Sequence, residues 1–114
     1  KATIIADAEI VADGIALSVC EGRHKNVQIL VSQAADELLN IQGIKASFVA
    51  GSSEDGITVV SARSLGEVNV QTIMEKMGGG GHLATAGTQL KQPLEETVEE
   101  LKELLRVIDK NGGL

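Results

Sequence analysis

Gly78-Gly79-Gly80-Gly81-His82 sets four residues without side chains beside one side chain that can donate a hydrogen bond or a proton. Glycine costs about 0.5–1 kcal/mol more backbone entropy than alanine in a regular element, so four in a row spend a sizeable part of a net stability of about 5–15 kcal/mol. They bury nothing in return. The chemistry that explains the run is anion binding, because without a Cβ in the way backbone N–H groups approach a phosphate closely. His82 then adds a donor for a phosphoryl oxygen or a base, joined by charge attraction when the ring is protonated. Two plainer roles compete. Gly78 alone would suit a helix C-cap, and a glycine run can also act as a linker, although apolar segments flank this one closely. A ligand-binding turn is expected. A β-branched residue at Gly80 should then block both the backbone geometry and the ligand's approach.

Ser61-Ala62-Arg63-Ser64 closes an apolar run. Period-2 alternation puts Ser61 and Arg63 on one face of a strand, where a guanidinium can fork two phosphate oxygens and the hydroxyls of Ser61 and Ser64 add donors. An exposed arginine ending a strand would carry the same pattern. Arg23-His24-Lys25, ahead of a helix start, is a candidate anion site or a solvated loop. His24 and His82 are the only histidines, with no paired acidic motif beside either, so no metal-ligand spacing stands out. No base is identifiable for Ser61 or Ser64, and Cys20 lies in an apolar run where a thiol is usually inert. These residues bind; they do not supply the bond-breaking chemistry.

Elements must position them, and the patterning supplies candidates. Residues 3–12 and 15–20 read as strands joined at Asp13-Gly14, a favoured two-residue hairpin turn. Residues 21–25 read as a polar loop. Asn26 can cap a helix carrying Val27, Leu30, Val31, Ala34, Ala35 and Leu38 at helical spacing, with Gly43 as terminator. Residues 44–50 and 57–62 form a second hairpin through the turn-rich residues 51–56. Asn69 can cap a short helix with Val70, Ile73, Met74 and Met77, which runs into the glycines; residues 84–90 make the return strand. Pro93 opens a last helix with the stripe Leu94, Val98, Leu101, Leu105 and Ile108, ended by Asn111-Gly112-Gly113. The expected fold class is α+β, with α/β-type layers: about five strands in one mixed sheet with three helices.

Composition bounds the function. The 114 residues, 43% of them hydrophobic, suffice for one core and one domain, residues 1–114. A net charge of −6 argues against a protein that holds long nucleic acid by its phosphates, and Phe48, the sole aromatic, leaves no base-stacking platform. A small anionic ligand remains. One cysteine excludes an internal disulfide and fits a reducing compartment. The chain opens on Lys1 rather than Met, without a signal-like or bilayer-spanning run, and is expected to be a piece of a larger protein.

The run from Met74 through Gly78-Gly79-Gly80-Gly81-His82 to Leu83-Ala84-Thr85-Ala86-Gly87-Thr88, together with Ser61-Ala62-Arg63-Ser64 and Asn69-Val70, resembles the DHH-associated domain of DHH-family phosphoesterases. The likeness covers essentially the whole chain. More narrowly it is similar to the C-terminal domain of the GdpP-type, membrane-anchored cyclic di-AMP phosphodiesterases, because Leu83-Ala84-Thr85 is uncharged where oligonucleotide-degrading relatives tend to carry a basic residue. The resemblance implies a preceding DHH domain holding two metal ions, commonly manganese, that activate water against a phosphodiester. This domain would face it across a cleft and grip the cyclic dinucleotide. Gly79, Gly80, Gly81 and His82 would form the substrate-binding turn, and Arg63, with Ser61 and Ser64, the phosphate-side contact. No catalytic residue or metal ligand would lie in this chain, and the domain would sit at the cytoplasmic face of the membrane through segments outside it. Two alternatives stand beside this: the nucleotide-binding half of an oligoribonuclease or 3′-phosphoadenosine phosphate phosphatase, and an assembly module pairing copies as a homodimer.

Overall fold

The computed structural model describes residues 7–113. Within them, six strands and three helices follow in the order β1 (Glu9–Ala12), β2 (Ile15–His24), α1 (Val27–Leu39), β3 (Ala46–Ser53), β4 (Thr58–Ser64), α2 (Val70–Glu75), β5 (Gly80–Gly81), β6 (Thr85–Leu90) and α3 (Leu94–Lys110). The strands make one mixed sheet in the order β1-β2-β3-β4-β6-β5. β2 and β3 run parallel, as the crossover through α1 requires, and the other neighbours are antiparallel.

The sheet is the middle of three layers. On one face, Ala16, Cys20, Val49 and Val59 meet Val27, Val31, Ala34, Ala35 and Leu38 of α1. On the other, Ile15, Leu17, Phe48, Val60 and Ala62 meet Val70, Ile73 and Met74 of α2 and Val98, Leu101 and Leu105 of α3. Adjacent residues such as Val59 and Val60 therefore belong to opposite cores, which is the period-2 rule expressed across a sheet covered on both sides. Phe48 is fully buried, and burying such a side chain is worth about 1.5–3 kcal/mol.

The structure shows six strands against about five expected. The extra one is β5, two glycines that carry no side chains and so no alternation for a pattern to reveal. Residues 21–24 of the expected loop are strand, because β2 continues to His24 past a bulge between Cys20 and Arg23, where Gly22 takes a φ of 83°; only Lys25 lies in a turn. Asn26 occupies the N-cap of α1 without a side-chain cap bond, since φ −113° and ψ 50° do not aim its amide at the first-turn N–H groups. The helix stops at Leu39, and Gly43 makes the following turn at φ 92°. Asn69 does cap α2, accepting from the Thr72 N–H at 3.1 Å. Residues 3–6 of the first expected strand lie outside the described residues.

Candidate functional site

The four glycines divide into different tasks. Gly78 ends α2 in the left-handed conformation at φ 84°, with its N–H on the Glu75 carbonyl at 3.1 Å and the Gly79 N–H on the Met74 carbonyl at 2.9 Å. That is a Schellman cap, in which a residue with a Cβ is strained. Gly79 and Gly81 pass against β6. A Cβ on Gly79 would overlap the Gly87 carbonyl oxygen and sit 2.5 Å from Thr88 Cβ, and one on Gly81, at φ 143°, would sit 2.5 Å from Ala86 Cα. Gly80 is different. Its φ lies outside the left-handed region, and a Cβ there would meet nothing within 4 Å. The expectation that a side chain at Gly80 would break the backbone geometry is therefore corrected: nothing among the described residues requires this position to be glycine.

His82 and Thr85 close the β5–β6 hairpin, with the His82 N–H on the Thr85 carbonyl at 2.6 Å and the Thr85 N–H on the His82 carbonyl at 3.3 Å. The turn is held from two more directions. The Ser64 N–H donates to the Ala84 carbonyl at 2.9 Å, and the Val70 N–H, an orphan donor of the first turn of α2, donates to the Leu83 carbonyl at 3.0 Å. The exposed His82 side chain thus projects from a fixed turn.

Strand register brings the other residues alongside. Ser61 lies opposite Gly87, which lies opposite Gly80; Arg63 lies opposite Thr85. Directly opposed residues share a face, so Ser61, Gly87 and Gly80 form one cross-sheet row with Arg63 and Thr85 in the next. This is the α1 face, since Ser61 Oγ is 2.9 Å from Ser32 Oγ and Arg63 Nε donates to Asp36 Oδ1 at 2.9 Å, both partners being on α1. Beyond Ser61 the row carries no side chain: it is a flat strip of backbone ending at β5, an edge strand whose outer side has no strand neighbour among the described residues. Arg63 flanks the strip. Its Nη1 donates to the Ala62 carbonyl at 2.9 Å, and the side chain is only 15% exposed.

Ser61, Arg63, Gly80 and His82 are thus gathered at one end of one face. Ser64 is not, because the alternation that pairs Ser61 with Arg63 turns Ser64 to the opposite side, where its Oγ accepts from the Gly66 N–H at 2.8 Å. Gly79 and Gly81 flank Gly80, with the Gly79 N–H already donating to the Met74 carbonyl. Sequence reasoning missed Gly87 and Thr85, which the pairing of β6 with β4 and β5 reveals, and Ser32 and Asp36, whose spacing of four on a helix matches the spacing of two on β4. The Arg23-His24-Lys25 segment lies elsewhere: Arg23 Nη1 donates to the Glu54 carbonyl at 3.3 Å, and His24 Nε2 lies 2.7 Å from the Glu21 carbonyl oxygen. Burial pushes the Cys20 thiol up from its ordinary range, with the Glu21 carboxylate adding to the shift, and its Sγ lies 3.1 Å from His24 Nε2. Among the described residues no group of three or more His, Cys, Asp or Glu side chains could hold a metal ion, so the residues here do not fit the manganese pair and none is assigned to it.

Comparison with known proteins agrees with this arrangement of elements. Residues 13–111 match the DHHA1 domain. The chain is 42% identical over 110 residues to the cyclic-di-AMP phosphodiesterase PdeA of Listeria monocytogenes, covering 96% of this chain and 16% of that protein. It is 45% identical over 106 residues to the cyclic-di-AMP phosphodiesterase GdpP of Geobacillus thermodenitrificans, covering 93% and 16%. The chain therefore spans about a sixth of the relatives it matches. An exopolyphosphatase-related protein from Bacteroides fragilis shares the fold at a TM-score of 0.75 and 16% identity, over 94% of this chain and 33% of that one. With the family match spanning nearly all the described residues and the glycine-histidine hairpin in place at the sheet edge, this chain belongs to the DHHA1 domain family.

Proposed function

We propose that this chain is the substrate-gripping domain of a metal-dependent phosphodiesterase that opens cyclic di-AMP to the linear dinucleotide. The observation that carries the reading is Gly80, a position with open space and an ordinary backbone conformation that nonetheless has no side chain, in a bare row beside the one that holds Arg63, Thr85 and the His82 turn. A phosphodiester laid along this strip lies against the next row, where the Arg63 guanidinium and the His82 ring stand on either side of Thr85 as donors. Leu83, beside His82, and Leu65 are exposed and offer apolar surface to an adenine ring. The naming of relatives at 42% and 45% identity as cyclic-di-AMP phosphodiesterases supports the choice of substrate.

In this reading a preceding DHH domain carries the manganese ions and the activated water, and membrane segments outside this chain hold the domain at the cytoplasmic face. The division of labour is binding and charge stabilisation here, water activation there. Donors placed where charge develops in the transition state are each worth about 10²–10³ in rate. His82→Ala or Arg63→Ala in the full-length protein is therefore expected to lower kcat/KM by about 10- to 1,000-fold while the manganese content stays unchanged. Loss of manganese in either variant, or full activity in both, would contradict the assignment.

A further inference from the structure

Arg63 is not presented as a free cation. Its Nε is taken by Asp36 Oδ1 at 2.9 Å and its Nη1 by the Ala62 carbonyl at 2.9 Å. The pair is built from two elements in register: Ser32 and Asp36, one helical turn apart on α1, meet Ser61 and Arg63, two apart on β4. Asp36 itself is 63% exposed, and an ion pair with so open a partner adds little to folding. What the carboxylate does change is the field at the strip. It fixes the direction of the guanidinium and sets a negative charge beside it, which weakens without abolishing the local attraction for anions.

Resting on the reading that the strip receives a phosphodiester, we infer that Asp36 is a positioning residue that makes the site select phosphodiesters over terminal phosphomonoesters. A bridging phosphodiester carries one negative charge, whereas a terminal phosphate carries about 1.5–2 at pH 7. Hydrolysis of one linkage of a cyclic dinucleotide adds water across a P–O bond and leaves a hydroxyl on one ribose and a phosphomonoester on the other. The product thus differs from the substrate by extra negative charge at the cleaved phosphorus. An unpaired arginine would hold that product more tightly than the substrate. With Asp36 a few ångströms away the added charge is repelled, so the product leaves and mononucleotides compete poorly.

The test is Asp36→Asn in the full-length protein, which keeps an acceptor for Nε and deletes the charge, with Asp36→Glu as the charge-retaining control. The expected result for Asp36→Asn is that binding of all three strengthens, with the inhibition constants of the linear dinucleotide and AMP falling about three- to tenfold further than KM for the cyclic substrate, because each feels the lost carboxylate in proportion to its own negative charge. Asp36→Glu should restore the original ratio. Inhibition constants and KM that shift together, or a ratio unchanged in Asp36→Asn, would overturn the inference. The underlying reading fails separately: Arg63→Ala that leaves every one of these constants unchanged shows that the strip is not the nucleotide site.

Discussion

Four adjacent glycines have four different reasons to be glycine, or only three if no ligand exists. Gly78, Gly79 and Gly81 are explained inside the fold by a left-handed cap and two close approaches to β6. Alanine at Gly81 combines a strained φ with a clash against Ala86, and alanine at Gly79 meets a carbonyl oxygen; each is expected to cost about 2–4 kcal/mol in denaturant unfolding. Alanine at Gly80 should stay within about 1 kcal/mol, because neither penalty applies there. Equal losses at all three positions would remove the case for Gly80 as a contact. Cys20 gives a second check: with burial holding its thiol above the ordinary range, alkylation at neutral pH should be much slower than for a free thiol, and a rate matching free cysteine would contradict the packing. That the run of glycines with its histidine makes a turn between a helix and a return strand was legible in the sequence. Which glycine serves which task was not, because that depends on the register of β5 on β6, and no side chain in β5 reports it.

At the level of elements, α2 and the β5–β6 turn form one unit: Asn69 caps the helix, and the helix in turn fixes the Leu83 carbonyl through the Val70 N–H. Asn69→Ala is expected to cost about 1 kcal/mol and to speed hydrogen exchange at the Val70 and Ser64 amides, whose acceptors lie in the turn. Faster exchange confined to residues remote from this turn would show that cap and turn are not coupled. The helices and both hairpins could be read from periodicity and turn chemistry, and the shared face of Ser61 and Arg63 followed from alternation. The same alternation excludes Ser64 from that face, which grouping it with its neighbours by composition concealed. The extension of β2 through residues 21–24 escaped because a polar segment with a bulge breaks the apolar pattern while its backbone keeps pairing with β3. Parallel pairing of β2 with β3 was not readable as such, since it is set by how α1 packs rather than by either strand.

For the whole molecule, the sheet separates two tasks. The α2/α3 face is the larger core, and Leu101→Ala within it is expected to cost about 2–5 kcal/mol by cavity formation without changing nucleotide affinity in the folded protein. The α1 face carries the candidate site at its uncovered end, where α1 supplies Ser32 and Asp36 but leaves β6 and β5 open. On the proposed reading, an acidic balance is no obstacle to a dinucleotide, because recognition rests on one guanidinium, one imidazole and a strip of backbone rather than on a basic surface. No helix among the described residues is long and apolar enough to cross a membrane. The most direct measurement is the affinity of the Gly80→Val full-length protein for cyclic di-AMP, taken together with its thermal midpoint. An unchanged midpoint with affinity reduced at least about tenfold, equivalent to about 1.4 kcal/mol, is the expected result. Unchanged affinity with an unchanged midpoint would show that the bare strip is not where the nucleotide lies.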